Sequence, residues 1–420
     1  MINKERYDIA IIGAGAAGCM AAIKAAELKK KVLLLERNSF LGKKILLTGN
    51  GRCNLTNTAA IDIYIKKFIR SGKFLRTAFS RLTNENLIDF FHRKELKFKI
   101  EDGGKVFPTT DKARSIVSIL EKYLKENNIE IAYSTQILSV KHESTYFLIT
   151  TQDHAYIEAK KIIMATGGSS YPTTGSDGSG VILAKSLGHA TIPFTPALVP
   201  LTTAEIWVKD LQGLSFQSVR VTIDHEGKRN VSDPGDILFT HFGLSGPLII
   251  DLSASILCKL KEKDKIKITI DLKPEMSDQE LHQKLARSSI AQGSTQIKNL
   301  INTFLPKRMT PIFLSLLSIK PEKMLNQITK KERLAITAML KAFPLTVIGS
   351  LSMDHAMVTN GGIPVDEIDQ RTLGSKLVEG LYFAGEMIDG RGPSGGYNLQ
   401  QAFSTGFLAG ESAAKDLENI

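Results

Sequence analysis

Three glycines and one carboxylate are the residues whose spacing most directly suggests chemistry. Gly13, Gly15 and Gly18 form GAGAAG behind an apolar run, and Glu36 follows the turn by about twenty residues, as a dinucleotide-binding turn requires. Gly13 permits the tight turn, Gly15 admits a pyrophosphate to the backbone, and Gly18 lets the following helix pack closely. Ala14, Ala16 and Ala17 complete the turn, the helix N-terminus faces the phosphate charge, and Glu36 can accept hydrogen bonds from ribose hydroxyls. A second candidate is Cys53 in "TGNGRCNLTN" (48–57), where Arg52 and the free N–H groups of the loop would favour a thiolate. Cys19 and Cys258 are far away in sequence, so a redox disulfide with Cys53 is unsupported. Tyr171, Tyr397 and His241 are candidate proton donors. His92, His142, His154, His189, His225, His282 and His355 show no ligand spacing, and no metal site is assigned.

The elements that must position these residues follow from periodicity. An apolar strand (7–12), an Ala-rich helix and a second strand (31–36) make a βαβ unit, entered directly from "MINKER". Residues 60–100 read as helical, and 111–128 as an amphipathic helix opened by Asp111. Short strands follow, the last being "KKIIMATGG" (160–168), and "GSDGSG" (175–180) is a helix-starting turn with the wrong lead-in for a second dinucleotide site. From Ile192 the pattern alternates between turns, through "GLSFQSVRVTIDHEGKRNVSDPGDILFTHFGLSGPLIIDLS", as in a small antiparallel sheet or barrel. Helices occupy 277–344, strand-and-glycine texture returns at "GLYFAGEMID", and a final helix runs from Leu399 to Leu417.

The chain has 420 residues and a formal charge of +11. Its positive charge is regional: residues 1–120 hold 23 Lys and Arg against 11 Asp and Glu and residues 259–341 hold 17 against 8, whereas residues 342–420 hold 4 against 10. Such a field favours an anionic cofactor or substrate. No apolar run reaches membrane-spanning length and no signal-peptide pattern opens the chain, so a cytoplasmic protein with reduced thiols is expected.

FAD and NAD share the GAGAAG fingerprint, and three later segments discriminate. "KKIIMATGG", "GLYFAGEMID" (380–389) and "GGYNLQQAFSTGFLAGESAA" (395–414) together resemble the FAD-binding pattern of the two-dinucleotide-binding-domain flavoproteins. In that arrangement a late helix N-terminus stabilises the negative charge that a flavin gathers on reduction. The words "TGNGRCNLTN", "ATGGSSYPTTGSDGSG", "PALVPL", "LFTHFGLSGP", "VTNGGI" and "GGYNLQQAF" span nearly the whole chain. They resemble a bacterial family of NAD(P)/FAD-dependent oxidoreductases, the BaiN/YhiN-like and aminoacetone-oxidase-family flavoproteins. The resemblance implies an α/β, Rossmann-like FAD-binding domain interrupted by an inserted β-barrel-like part and a helical part. It assigns Gly13, Gly15 and Gly18 to the pyrophosphate and Glu36 to the adenosine ribose. Gly51, Arg52, Cys53 and Asn54 would line the cofactor, Ala165, Thr166, Gly167 and Gly168 the crossover, and Gly385, Glu386 and Asp389 the ribitol. Gly395, Gly396, Tyr397, Asn398 and Leu399 would lie by the flavin ring, with Arg37, Lys44, Gln136 and Ile137 completing the set. Arg391 departs from the family pattern and receives no substrate role.

The resulting expectation is a domain of residues 1–191 and 345–420 holding non-covalent FAD, an inserted β part over 192–276 and a helical part over 277–344. The expected activity is hydride transfer between a small organic substrate and the flavin, with NAD(P)H as a transient electron donor. The alternative is an RNA-associated flavoprotein of the tRNA-modifying kind. The helical part offers no interleaved aromatics for base stacking, which weighs against a nucleic-acid partner.

Overall fold

A computed structural model describes residues 6–68, 71–225, 227–260 and 265–418, the side chain of His225 excepted. The opening residues 1–5 and the side chain of His225 therefore lie outside the described residues. The chain divides into two compact units, Met1–Ala197 with Met353–Ile420, and Leu198–Ser352.

The first unit is built on a seven-stranded sheet. Glu130–Ala132, Val32–Leu35, Arg6–Ile12 and Tyr156–Met164 lie side by side in parallel, and Leu381–Phe383 also pairs in parallel with the end of Tyr156–Met164. The beginning of that long strand instead carries an antiparallel meander, Phe147–Thr151 and Ile137–His142. Val32–Leu35 and the ends of Arg6–Ile12 and Tyr156–Met164 are apolar and buried on both faces, as burial between helix layers demands. Their register sets the next feature: Ile12 lies beside both Leu35 and Met164, and Met164 beside Phe383. Four neighbouring strands thus end level, at Gly13, Glu36, Ala165 and Ala384.

The expected amphipathic helix runs over Ala113–Glu126, and Asp111 is not its cap. Its backbone is left-handed (φ 51°) and its carboxylate pairs with Lys99 at 2.7 Å.

In the second unit, Ser215–His225, Gly235–Phe239, Gly243–Ser245, Leu201–Thr203, Phe343–Ser350 and Ile266–Asp271 pair successively, and pairing of the last with the first closes the ring. Lys228–Val231 is a hairpin partner outside it. The helices Asp278–Ala291, Ile297–Ile301, Thr310–Leu316 and Lys330–Lys341 share one core with this barrel, so sheet and helices form a single body. "GPLIIDLS", grouped above with the alternating strands, belongs to the helix Pro247–Leu260. A short apolar run does not distinguish strand from buried helix, and Pro247 at the first helical position favours the helix.

The unit junctions fall at 197/198 and 352/353, beyond the 191/192 and 344/345 read from texture. Ile192–Ala197 pairs with Val358–Gly362 in the first unit, while Phe343–Ser350 is a barrel strand of the second.

Candidate functional site

A cleft of about 1340 Å³ opens beyond the four level strand ends, entirely within the first unit. It sits at the carboxyl edge where open α/β sheets bind nucleotides.

Two helix N-termini deliver backbone N–H groups to this cleft. The helix Ala16–Glu27 begins behind Gly15, and the helix Tyr397–Asp416 behind Gly396, and neither cap residue offers a side-chain hydrogen bond. The helices pack almost backbone to backbone: a Cβ on Gly406 would lie 2.1 Å from the Ala17 oxygen, and one on Gly410 2.3 Å from that of Ala21. The equal steps of four residues mean that the helices run parallel. Ala17 is the second residue of its helix and Gly406 the tenth of the other, so the two N-termini are staggered by about 12 Å along the cleft. An elongated ligand with anionic character at two separated points matches this pair of positive dipole ends.

The glycines divide the work as the motif suggests. A Cβ on Gly13 would meet the Ala165 oxygen at 2.6 Å, and one on Gly18 the Gly13 oxygen at 1.8 Å, whereas one on Gly15 would meet nothing within 4 Å. Gly13 and Gly18 are therefore fixed by packing. Gly15 faces open space where a ligand approaches. Nearby, the hydroxyls of Thr166 and Ser176 are buried without a protein partner and both residues line the cleft. These features fit a bound dinucleotide.

Glu36 is buried, its Oε2 accepting from the Ala14 N–H at 2.8 Å and its Oε1 from the Asn38 N–H at 2.8 Å and Nδ2 at 2.7 Å. The turn thus holds the carboxylate at the end of its strand. Farther along, Lys44 Nζ donates to Glu386 Oε2 and to Ser170 Oγ, each at 2.6 Å, and the Thr359 N–H donates to Glu386 Oε1 at 2.6 Å. Burial alone would raise the Glu386 carboxyl, but Lys44 and the Thr359 donors outweigh it and hold the group below the ordinary carboxylate value.

Of the residues expected to bind cofactor, Gly13, Ala14, Gly15, Ala16, Ala17, Glu36, Arg37, Lys44, Gln136, Ile137, Ala165, Thr166, Gly167, Gly385, Glu386, Asn398 and Leu399 line the cleft. Gly18 supports it from behind, and Gly168 is pressed against Thr359, whose Oγ1 lies 2.3 Å from a Cβ there. Asp389 accepts from the Gly361 N–H at 3.2 Å, a structural bond. Gly395 and Gly396 form the left-handed entry to the last helix. Tyr397 turns from the cleft and packs on Tyr64, with ring centroids 4.7 Å apart.

The loop around Cys53 also differs from expectation. Gly51, Arg52, Cys53 and Asn54 do not line the cleft. Arg52 stacks on Phe107 at 4.1 Å and pairs with Glu101 at 2.8 Å, because the hairpin Phe98–Glu101 and Lys105–Pro108 draws the loop to itself. Cys53 is fully buried, and desolvation pushes its thiol up to about 12 despite a hydrogen bond to Thr48. It is no catalytic thiolate at neutral pH. A thiol reagent applied to the folded protein should label Cys258, the one exposed cysteine, and spare Cys53. Cys53→Ser should keep its turnover and lose about 1–3 kcal/mol of stability by burying a hydroxyl. Rapid labelling of Cys53, or loss of turnover in a folded flavin-loaded Cys53→Ser protein, would contradict this.

Of the other catalytic candidates, Tyr171 is half-buried in left-handed backbone (φ 51°), beside the Ser170 that holds Lys44. His241 is an exposed residue of the second unit packed edge-on against Phe242. Sequence reasoning set Arg391 aside, although it lines the cleft, and missed Gln401 and Ala402 in the last helix. For Arg391 the available signal was its place between two glycines in "DGRGP".

Residues 7–412 match the family described as HI0933-like protein Rossmann domain. The chain belongs to this family. Its members are FAD-binding oxidoreductases, and this chain is an enzyme of that class, as the motifs implied. It is 31% identical over 411 residues to a 3-dehydro-bile acid delta(4,6)-reductase of Clostridium scindens, covering 97% of this chain and 99% of the relative. It is 30% identical over 410 residues to a ribosomal RNA dihydrouridine synthase of Escherichia coli, covering 97% and 98%. Among solved structures, 3-ketosteroid delta1-dehydrogenase from Sterolibacterium denitrificans shares the fold, with a TM-score of 0.54 at 13% identity over 98% of this chain and 100% of that one. No helix among the described residues is long and apolar enough to cross a membrane.

Proposed function

We propose that the chain reduces a carbon–carbon double bond conjugated to a carbonyl group, using non-covalent FAD held in the first-unit cleft. The observation that carries the reading is the pair of staggered helix N-termini opening on one glycine-walled cleft. It is supported by the two near-full-length relatives, whose names describe one kind of reaction: a delta(4,6) 3-oxo system and a uracil ring each have a double bond conjugated to a carbonyl.

When bound and reduced, FAD supplies a hydride to the electron-poor β-carbon, a proton completes the α-carbon, and NAD(P)H serves as a transient source of the two electrons. The residues of the chain do the rest. Gly13–Gly18 and Glu36 hold the adenosine and pyrophosphate end, while Asn398, Leu399 and the last helix's dipole favour negative charge at the other. Arg391 is suited to a substrate carbonyl oxygen, where charge develops as hydride arrives. Tyr171 does not line the cleft and His241 belongs to the second unit, so neither is assigned the proton.

The test is anaerobic. Protein reconstituted with FAD and reduced by NADH or NADPH should regain its oxidised-flavin absorbance on mixing with conjugated enones. Colourless protein that refuses added FAD, or reduced flavin that no conjugated acceptor reoxidises, would sink the proposal.

One observation favours a second reading, in which the reducible ring is a uracil base of RNA. The formal charge is +11, with surpluses over both residues 1–120 and residues 259–341, as a polyanion partner rewards. A base in a duplex would first have to leave the stack to reach a flavin.

A further inference from the structure

We propose that the segment 297–333 of the second unit forms a docking face for RNA phosphates, an inference that rests on the RNA reading above. The segment carries eight Lys and Arg against two Glu and no Asp. One of those acids is already used: Glu332 accepts from Lys323 Nζ at 2.7 and 2.9 Å and closes the capping box of the helix Lys330–Lys341. Of the segment's own acids, Glu322 is the one left to oppose the free cations.

The fold gathers those cations. Gln296 bridges Met324, the Ile297 N–H donates to the Lys323 oxygen at 2.8 Å, and the Lys298 N–H donates to the Pro321 oxygen at 3.3 Å. This places Lys298 beside the Lys320 turn. The Lys323–Glu332 pair then ties the same turn to the first helical residues, Lys330 and Lys331. Lys320, Lys330 and Lys331 are exposed, Lys298 is half-buried, and none of the four has an ion-pair or hydrogen-bond partner for its ammonium group among the described residues.

Four unneutralised ammonium groups carried by adjoining backbone segments repel one another, so the arrangement is stabilised by a partner that supplies closely spaced negative charge. Nucleic-acid phosphates do so. The aromatic residues of the segment, Phe304 and Phe313, are both buried, so no base-stacking platform accompanies the lysines. The face accordingly positions RNA without reading its sequence, the ordinary division of labour between phosphate and base contacts.

The experiment uses the full flavin-loaded chain and deproteinised ribosomal RNA. Binding would be measured across a salt series for the wild type, for a variant combining Lys298→Gln, Lys320→Gln, Lys330→Gln and Lys331→Gln, and for a control combining Lys66→Gln, Lys67→Gln and Lys73→Gln in the first unit. Each lost phosphate contact lowers the slope of log K against log salt by about 0.7–0.9, so the fourfold variant should lose a slope of about three while keeping its flavin and its reduction of a free enone. The control should keep the wild-type slope. Equal slopes for wild type and fourfold variant would overturn the docking face while leaving the RNA reading intact. A wild type that retains no RNA at low salt would overturn both.

Discussion

Gly15→Leu is expected to leave the protein folded and nearly empty of FAD. The backbone at Gly15 (φ −81°, ψ −166°) lies in the extended region open to any L-residue, and no atom stands within 4 Å of a Cβ built there. The Cβ of a leucine therefore meets no protein atom, and the side chain would occupy the space assigned to the pyrophosphate. Flavin affinity should fall at least about 100-fold, or roughly 2.8 kcal/mol, with little change in the melting temperature of the flavin-free protein. Gly18→Ala should behave in the opposite way. Its Cβ would sit 1.8 Å from the Gly13 oxygen, so the fold itself is strained and stability should fall by about 1–3 kcal/mol or more. Flavin content after dialysis and thermal melts of both flavin-free proteins separate the two outcomes. A Gly15→Leu protein that stays yellow would mean that the cofactor lies elsewhere.

Lys44→Met should cost about 2 kcal/mol, or roughly 4–8 °C in melting temperature near neutral pH. The figure is taken below the full value for a buried ion pair because both side chains keep some solvent, 25% for Lys44 and 21% for Glu386. Without the ammonium, burial is opposed by the Thr359 donors and by the Ser170 hydroxyl, which donates to Glu386 Oε1 at 3.3 Å, and the Glu386 carboxyl should rise. The pH dependence follows from its direction. In the wild type the depressed carboxyl contributes stability that is present above the unfolded value, near 4.3, and is lost as pH falls through the lower folded value. The gap between wild type and Lys44→Met should thus be widest near neutrality and close in acid. Adding Glu386→Gln to Lys44→Met should recover part of the loss, since glutamine still accepts from the Thr359 N–H without a charge. A gap that is independent of pH, or a double variant no more stable than Lys44→Met, would show that the pair contributes little.

Legibility in the sequence followed the range of the interactions. GAGAAG, the apolar run before it and Glu36 act within one βαβ unit, so their spacing alone located the turn, and all but Gly18 of the named glycines and alanines face the cleft. Cys53 shows the opposite case. Its neighbours suggested a reactive thiol, but a hairpin some fifty residues later pairs with its loop, the Leu55 N–H donating to the Val106 oxygen, and takes Arg52 onto Phe107. Tyr397 likewise stood next to Asn398, which lines the cleft, yet one position on a helix turns a side chain by about 100° and aims it at Tyr64.

Taken alone, the sequence determined the nucleotide-binding turn, the acid at the end of the second strand, the interrupted α/β plan and the family, because each rests on local spacing or on words preserved along the chain. Tertiary structure decided which side chains share the cleft. The level ends of four strands, the stagger of two glycine-packed helices and the Lys44–Glu386 pair join residues more than three hundred positions apart. No local pattern encodes such contacts: they arise only when the last strand and helix return to the first βαβ unit and bury its apolar surface.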